Sequence, residues 1–226
     1  MRPILTREQL QQHQSYLSDM DVIWDPLYDF SAYTATTGHT QLTFFSTPVG
    51  QGTTSAPGSA TGNKTLADTN METANQLGKG NQFYMTGVEV LFFPGVDPGR
   101  ADIASADVGE FVDDVYYVAK SGVLTFQVGS GRVYIQQGPL MLFAPSTRLA
   151  VQSSITTTQA TTATSGFAEV NYATFSGEVY TIVPILLDAN QTFNCNITWP
   201  AAIILPSATN ARIGVRLRGY RIRNAQ

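Results

Sequence analysis

Apolar and polar residues alternate with a period of two along most of this chain, the pattern of half-buried β-strands. The clearest case is Thr192–Trp199. Phe193, Cys195, Ile197 and Trp199 fall on one face, and Thr192, Asn194, Asn196 and Thr198 on the other. In Val123–Val128, Leu124, Phe126 and Val128 alternate with Thr125 and Gln127, and Gly129-Ser130-Gly131 turns the chain into Arg132–Gln136 as a hairpin. Further strands are predicted over 40–49, 82–93, 139–143, 148–155, 167–175, 178–187 and 211–223. Residues 20–33 read as extended, with Pro26 barring a helix there.

Two segments follow a helical period instead. Over 107–120, Val108, Phe111, Val112, Val115 and either Val118 or Ala119 recur at helical spacing, Asp107 and Glu110 form a capping box, and Gly122 ends the helix. The pair Asp113-Asp114 is expected on its solvated face. Residues 6–18 are a second helix, capped by Thr6 and Gln9, whose apolar face of Leu10 and Leu17 is too thin for a core. Residues 1–20 are therefore expected to form an N-terminal arm that docks on a neighbour, and 21–226 to form one domain. The low-charge stretches 50–81 and 156–165 read as long loops that are exposed or lie between subunits. Many strands separated by Gly and Pro turns predict an all-β chain. The expected fold is a single jelly-roll-like antiparallel β-sandwich with an N-terminal helical arm and one inserted helix.

Composition strengthens the β reading and narrows the function. There are 27 Thr against 3 Lys, with 12 Phe and 10 Tyr, a balance that suits pleated strands. Charged residues are only 13% of the chain, about half the share of roughly 25% usual in globular domains. Low charge with ordinary apolar content fits either a Thr-rich β-surface or a surface that faces neighbouring subunits. The one cysteine, Cys195, has no internal disulfide partner, which fits a reducing compartment. Met1 to Met20 has no apolar core, so no signal peptide is expected, and no run approaches the roughly 20 apolar residues of a membrane span.

Catalytic chemistry is poorly supplied. The two histidines, His13 and His39, lie in the N-terminal region without a nucleophile-elbow or metal-ligand pattern. Asp97 and Asp102 flank a loop, but their spacing matches no calcium cage and ordinary turn chemistry explains them. The chain reads as a non-enzyme without a cofactor or metal.

The last strand is the most informative segment. Ile213, Val215 and Leu217 share one face, and Arg212, Gly214, Arg216 and Arg218 the other. A bulge at Gly219-Tyr220 is expected to shift the alternation, so that Arg221 and Arg223 continue the cationic face. Five arginines without a lysine suit bidentate pairing. Asp19, Asp21, Asp25 and Asp29 near the start offer matching carboxylates, so these nine residues are the candidate subunit interface. Packaged nucleic acid is a second partner open to the C-terminal arginines, though the net charge of −4 does not suit a free nucleic-acid binder. Trp24 and Trp199, with Tyr16, Tyr28 and Tyr33, are the aromatics available to a sugar, but Trp199 shares the apolar face of its strand and reads as core.

Three segments carry a family resemblance. They are Ile182–Phe193 (IVPILLDANQTF), Ile197-Thr198-Trp199-Pro200 and Arg212–Tyr220 (RIGVRLRGY), and they resemble jelly-roll virion proteins of tailless icosahedral phages, corticovirus-like coat proteins in particular, with the long segment Thr65–Gly95 similar in character. The chain is short for the double jelly roll of such major coat proteins, which favours a single one. The resemblance implies a capsid protein that self-assembles into the virion shell in the host cytoplasm, with copies of itself and other virion proteins as partners. The alternatives are a carbohydrate-binding jelly-roll module and a receptor-binding or decoration protein of a virion.

Overall fold

A computed structural model describes residues 20–55, 62–95, 105–129, 134–143, 147–154, 167–176 and 180–224. The expected arm helix, His13, Asp19, Asp97, Asp102 and the loop 156–165 lie outside these residues.

Two antiparallel sheets pack as a sandwich. The first contains β1 (Met20–Trp24), β2 (Leu27–Tyr33), β4 (Asn81–Phe93), β9 (Tyr180–Leu187) and β11 (Ala211–Asn224). β11 lies at its centre, between β4 on one side and β1 and β2 on the other; β9 follows β4 at the far edge. The second sheet runs β3 (Gln41–Phe44), β10 (Phe193–Thr198), β5 (Val123–Val128), β6 (Tyr134–Pro139). The hairpin β7 (Thr147–Ser154)–β8 (Phe167–Ser176) is inserted between β6 and β9. With β1 and this hairpin set aside, β2 lies beside β11, β3 beside β10, β4 between β11 and β9, and β5 beside β6. That is the strand order of a jelly roll, so the expected sandwich holds.

The alternation predicted for β10 is realised. Phe193, Cys195 and Ile197 are buried, and they pair with Val128, Phe126 and Leu124 of β5, which are buried too. Phe44, Phe45, Phe83, Phe143 and Tyr33 complete an aromatic core between the sheets. The inserted helix, α1 (Ser105–Ser121), is tied to it by Trp199, whose indole N–H donates to Val118 O at 2.9 Å. This places Trp199 in the core, as its strand register predicts.

Three local expectations are corrected. The segment predicted as a strand over 139–143 is a 3-10 turn, Leu140–Phe143. Pro139 ends β6, and Leu140 and Phe143, three residues apart, both enter the core. β3 stops at Phe44, because Phe45 adopts a left-handed backbone (φ 66) while its ring stays buried. On α1, Asp113 is exposed but Asp114 is buried, accepting from the N–H and hydroxyl of Ser207 at 3.1 and 2.6 Å. The helix thus holds the loop before β11 through a carboxylate that reads as a solvated residue in the sequence.

The bulge is also placed differently. The register passes from Arg218↔Gly87 to Gly219↔Met85, so the extra residue is Thr86 on β4. β11 keeps its alternation. Tyr220 and Ile222 therefore continue the outer, arginine-bearing face, while Arg221 and Arg223 fall on the core side, opposite Phe83 and Asn81.

Candidate functional site

The outer face of the first sheet carries two features: arginines already neutralised by acids of the same chain, and an uncovered apolar row. Arg216 lies directly opposite Glu89 of β4 in register. Its guanidinium hydrogen-bonds the Glu89 carboxylate. Arg218 Nη2 sits 2.6 Å from the other oxygen, Glu89 Oε1, as an ion pair whose angles fall outside hydrogen-bond geometry. The Glu89 side chain is fully buried under these two arginines, which are themselves about 30% exposed. One buried carboxylate therefore explains why two outward arginines sit one pleat apart without repelling each other.

Arg212 is held by a second buried acid. Its Nη2 is 3.6 Å from Asp68 Oδ1, its Nε donates to the Ser55 hydroxyl at 2.9 Å, and its plane lies 4.0 Å from the centroid of the Phe30 ring. Phe30 in turn covers Gly214, where an added Cβ would stand 2.2 Å from the ring. Gly214→Ala must push out a ring pinned by Arg212, and is expected to cost about 1–3 kcal/mol, the usual range for overpacking. A urea titration against wild type measures it; an unchanged midpoint would show that Phe30 moves freely.

Of the four acids named from the sequence, Asp21 and Asp25 meet Arg223 and Arg221 at 3.7 and 3.0 Å within the chain. Among the described residues Asp29 meets no arginine. It is buried and pairs with Lys64 at 2.6 Å, and its Oδ2 accepts from Phe45 N at 2.7 Å. Glu89 and Asp68 escaped the sequence reading. Glu89 carried a signal, as the only charge in the apolar run Met85–Phe93; Asp68 sits in a Thr-rich loop and carried none.

Asp68 and Asp29 also account for the long loop between β3 and β4. Asp68 accepts from Thr54 Oγ1 (2.7 Å), Ser55 N (2.9 Å), Ser55 Oγ (2.6 Å), Thr65 N (3.0 Å) and Thr65 Oγ1 (3.2 Å). Burial alone would raise its pKa, but these donors hold the carboxyl well below the usual carboxylate range. The backbone around it lies along the free edge of β2: Phe30 N donates to Asp68 O, and Asn70 bonds Tyr28 and Pro26. An edge strand that would otherwise present bare amides is thus covered by the chain's own loop.

The signs of these shifts set an acid response. Asp68, with its pKa lowered by folding, contributes stability that is present above the unfolded carboxylate value of about 3.9 and is lost as pH falls below it. Asp29 and Asp114 have pKa values raised chiefly by burial, so they act in the opposite sense. Asp68→Asn is therefore expected to flatten the acid limb of Tm against pH between about 5 and 3. An acid limb as steep as in wild type would assign the acid response to other carboxylates.

The apolar row lies beside Arg218. Trp24, Tyr220, Tyr84 and Leu186 are in register across β1, β11, β4 and β9. Tyr84 lies between the core residues Phe83 and Met85 in sequence, so the row points away from the core. Trp24 is 54% exposed and Leu186 45%, and Trp24 packs edge-on against Tyr220 at 5.3 Å. On β9, Val183 is 76% exposed next to Pro184, which removes a backbone donor from that edge.

Other candidate chemistry is bound up in the fold. His39 Nε2 accepts from Thr34 N at 3.0 Å, its ring stands edge-on to Tyr33, and burial lowers its pKa. Cys195 is a free thiol sealed in the core, and burial raises its pKa. Among the described residues there is no cluster of three His, Cys, Asp or Glu side chains able to hold a metal, and no helix long and apolar enough to cross a membrane. A cleft of about 640 Å³ opens at one end of the first sheet, lined by polar side chains including Gln82, Asp188, Asn190, Gln191 and Arg223. No known family model matches the chain, and comparison with curated proteins and with solved structures finds no match.

Proposed function

We propose that this chain is a virion structural protein that assembles with copies of itself into a shell, as the resemblance to jelly-roll coat proteins of tailless icosahedral phages implies. The observation that carries the proposal is the outer face of the first sheet, with its exposed row Trp24–Tyr220–Tyr84–Leu186 beside Arg216 and Arg218. Protein interfaces are enriched in Trp, Tyr and Arg and depleted in Lys and Glu, and this face has that composition. Because Arg216 and Arg218 are already paired with Glu89, covering them with a neighbour removes less hydration than covering free charges. Exposed Met141 and Leu142 on the 3-10 turn and Ile204 before β11 offer further apolar surface at the end where α1 packs. On this reading the chain works in the virion after assembly in the host cytoplasm, its partners are its own copies and other virion proteins, and its chemistry is structural.

Replacing Trp24 and Leu186 together by Asp tests the face directly. Both side chains are largely exposed, so the fold is expected to persist. Light scattering should report large assemblies for wild type and single folded chains for the variant. Equal assembly in both would remove this face from the interface.

The carbohydrate-binding reading rests on the polar cleft, whose Gln82, Asp188, Asn190, Gln191 and Arg223 side chains suit sugar hydroxyls. It requires a monomer whose oligosaccharide binding is lost in Asp188→Ala.

A further inference from the structure

We propose that the Lys64 amine and the Asp29 carboxyl condense into an intramolecular amide, a covalent staple between the β3–β4 loop and β2. The inference is independent of what the chain assembles into. Lys64 Nζ lies 2.6 Å from Asp29 Oδ1, and the two side chains are only 9% and 1% exposed. Asp29 stands opposite Val215 on the core side of β2, so the pair is buried against an apolar sheet.

A buried ion pair of this kind gains little, since desolvation of two charges can exceed their attraction. Transfer of a proton from the ammonium to Oδ1 removes both charges and leaves a neutral amine against a carboxylic acid. Burial raises the Asp29 pKa, against Lys64, the Phe45 N–H and the Thr69 hydroxyl, which is the direction that favours the acid form.

One group that the next step uses, an N–H donor on Oδ2, is already in place. The lone pair of Nζ attacks Cγ and forms the N–C bond. Oδ2 takes up the negative charge where Phe45 N–H already donates at 2.7 Å, the arrangement of an oxyanion site. A second proton passes from nitrogen to Oδ1, the C–Oδ1 bond breaks and water leaves. Oδ2 returns to a carbonyl oxygen still bonded to Phe45 N. One amide and one water replace one ammonium and one carboxylate, with no change of oxidation state and no co-reactant.

Both reactants are held by backbone as well as by each other. Lys64 N donates to Gln51 O and Gly50 N to Lys64 O, while β2 is fixed along β11. Such fixed proximity is what gives intramolecular condensations their high effective molarity. The product would secure the loop that covers the β2 edge.

Intact-mass measurement of the folded, full-length wild-type chain, made under denaturing conditions, is the test. The expected mass is one water below that of the sequence. A tryptic digest should show no cleavage after Lys64, giving the single peptide 8–79 one water light, and chymotryptic cleavage between Asp29 and Lys64 should leave the two fragments joined. Lys64→Arg should restore the full sequence mass. A wild-type mass equal to the sequence would overturn the proposal and leave a plain ion pair. So would a water loss that persists in Lys64→Arg or maps elsewhere, as an aspartimide would.

Discussion

Arg216→Ala combined with Arg218→Ala is expected to destabilise the isolated subunit by about 3–5 kcal/mol, the cost of leaving a buried charge without its partners. The reason lies in Glu89, which is fully buried and has both guanidiniums on its carboxylate. The arginines are part-exposed, so the lower end of that range applies, and for a chain of this size the melting temperature should fall by roughly 10 °C at about 2–4 °C per kcal/mol. Adding Glu89→Leu to the pair should recover most of the loss, because a well-packed apolar group can replace a buried ionic network at little cost. The comparison separates two roles. If the triad serves only contacts between subunits, the double variant melts like wild type and merely fails to assemble.

Asp68→Ala should be about as severe. Asp68 is the shared acceptor for the backbone N–H of Ser55 and Thr65 and for hydroxyls of Thr54, Ser55 and Thr65. Its removal orphans those donors and leaves Arg212 without its acid. Each buried donor left unsatisfied costs about 1–3 kcal/mol, and water entering the cavity offsets part of the sum, so a net loss of roughly 3 kcal/mol is expected. Hydrogen exchange should localise it: amides of the β3–β4 loop and of β2 should exchange faster while those of β5 and β10 keep their protection. Uniform loss across both sheets would mean that Asp68 supports the whole sandwich rather than the loop.

The contrast between these acids and the strands shows what was legible from sequence. Alternation exposed β5, β10 and the first part of β11, because a residue's face in a strand follows from its parity alone. It misplaced Arg221 and Arg223 because the bulge residue is Thr86, on a partner strand more than a hundred positions away. The fold class followed from many short alternating runs, whereas the strand order depends on pairings such as β2 with β11 that leave no local trace. The stretch 50–81 reads as a bare loop since its order comes from Asp29 and Asp68, whose polar partners are invisible to periodicity. Glu89 is the instructive miss. A lone carboxylate inside the run MTGVEVLFF has to find a cation across the sheet, and the arginines of the last strand were the only dense supply. Within the chain Arg216 and Arg218 take their carboxylate from Glu89, while Asp21 and Asp25 of the acidic N-terminal segment meet Arg223 and Arg221.

Negative-stain electron microscopy of the purified full-length chain at micromolar concentration tests the assembly reading most directly. Closed particles of uniform diameter, absent from the Trp24→Asp, Leu186→Asp variant, are the expected result. A field of single subunits, matched by a monodisperse monomer in light scattering under the same conditions, would contradict it.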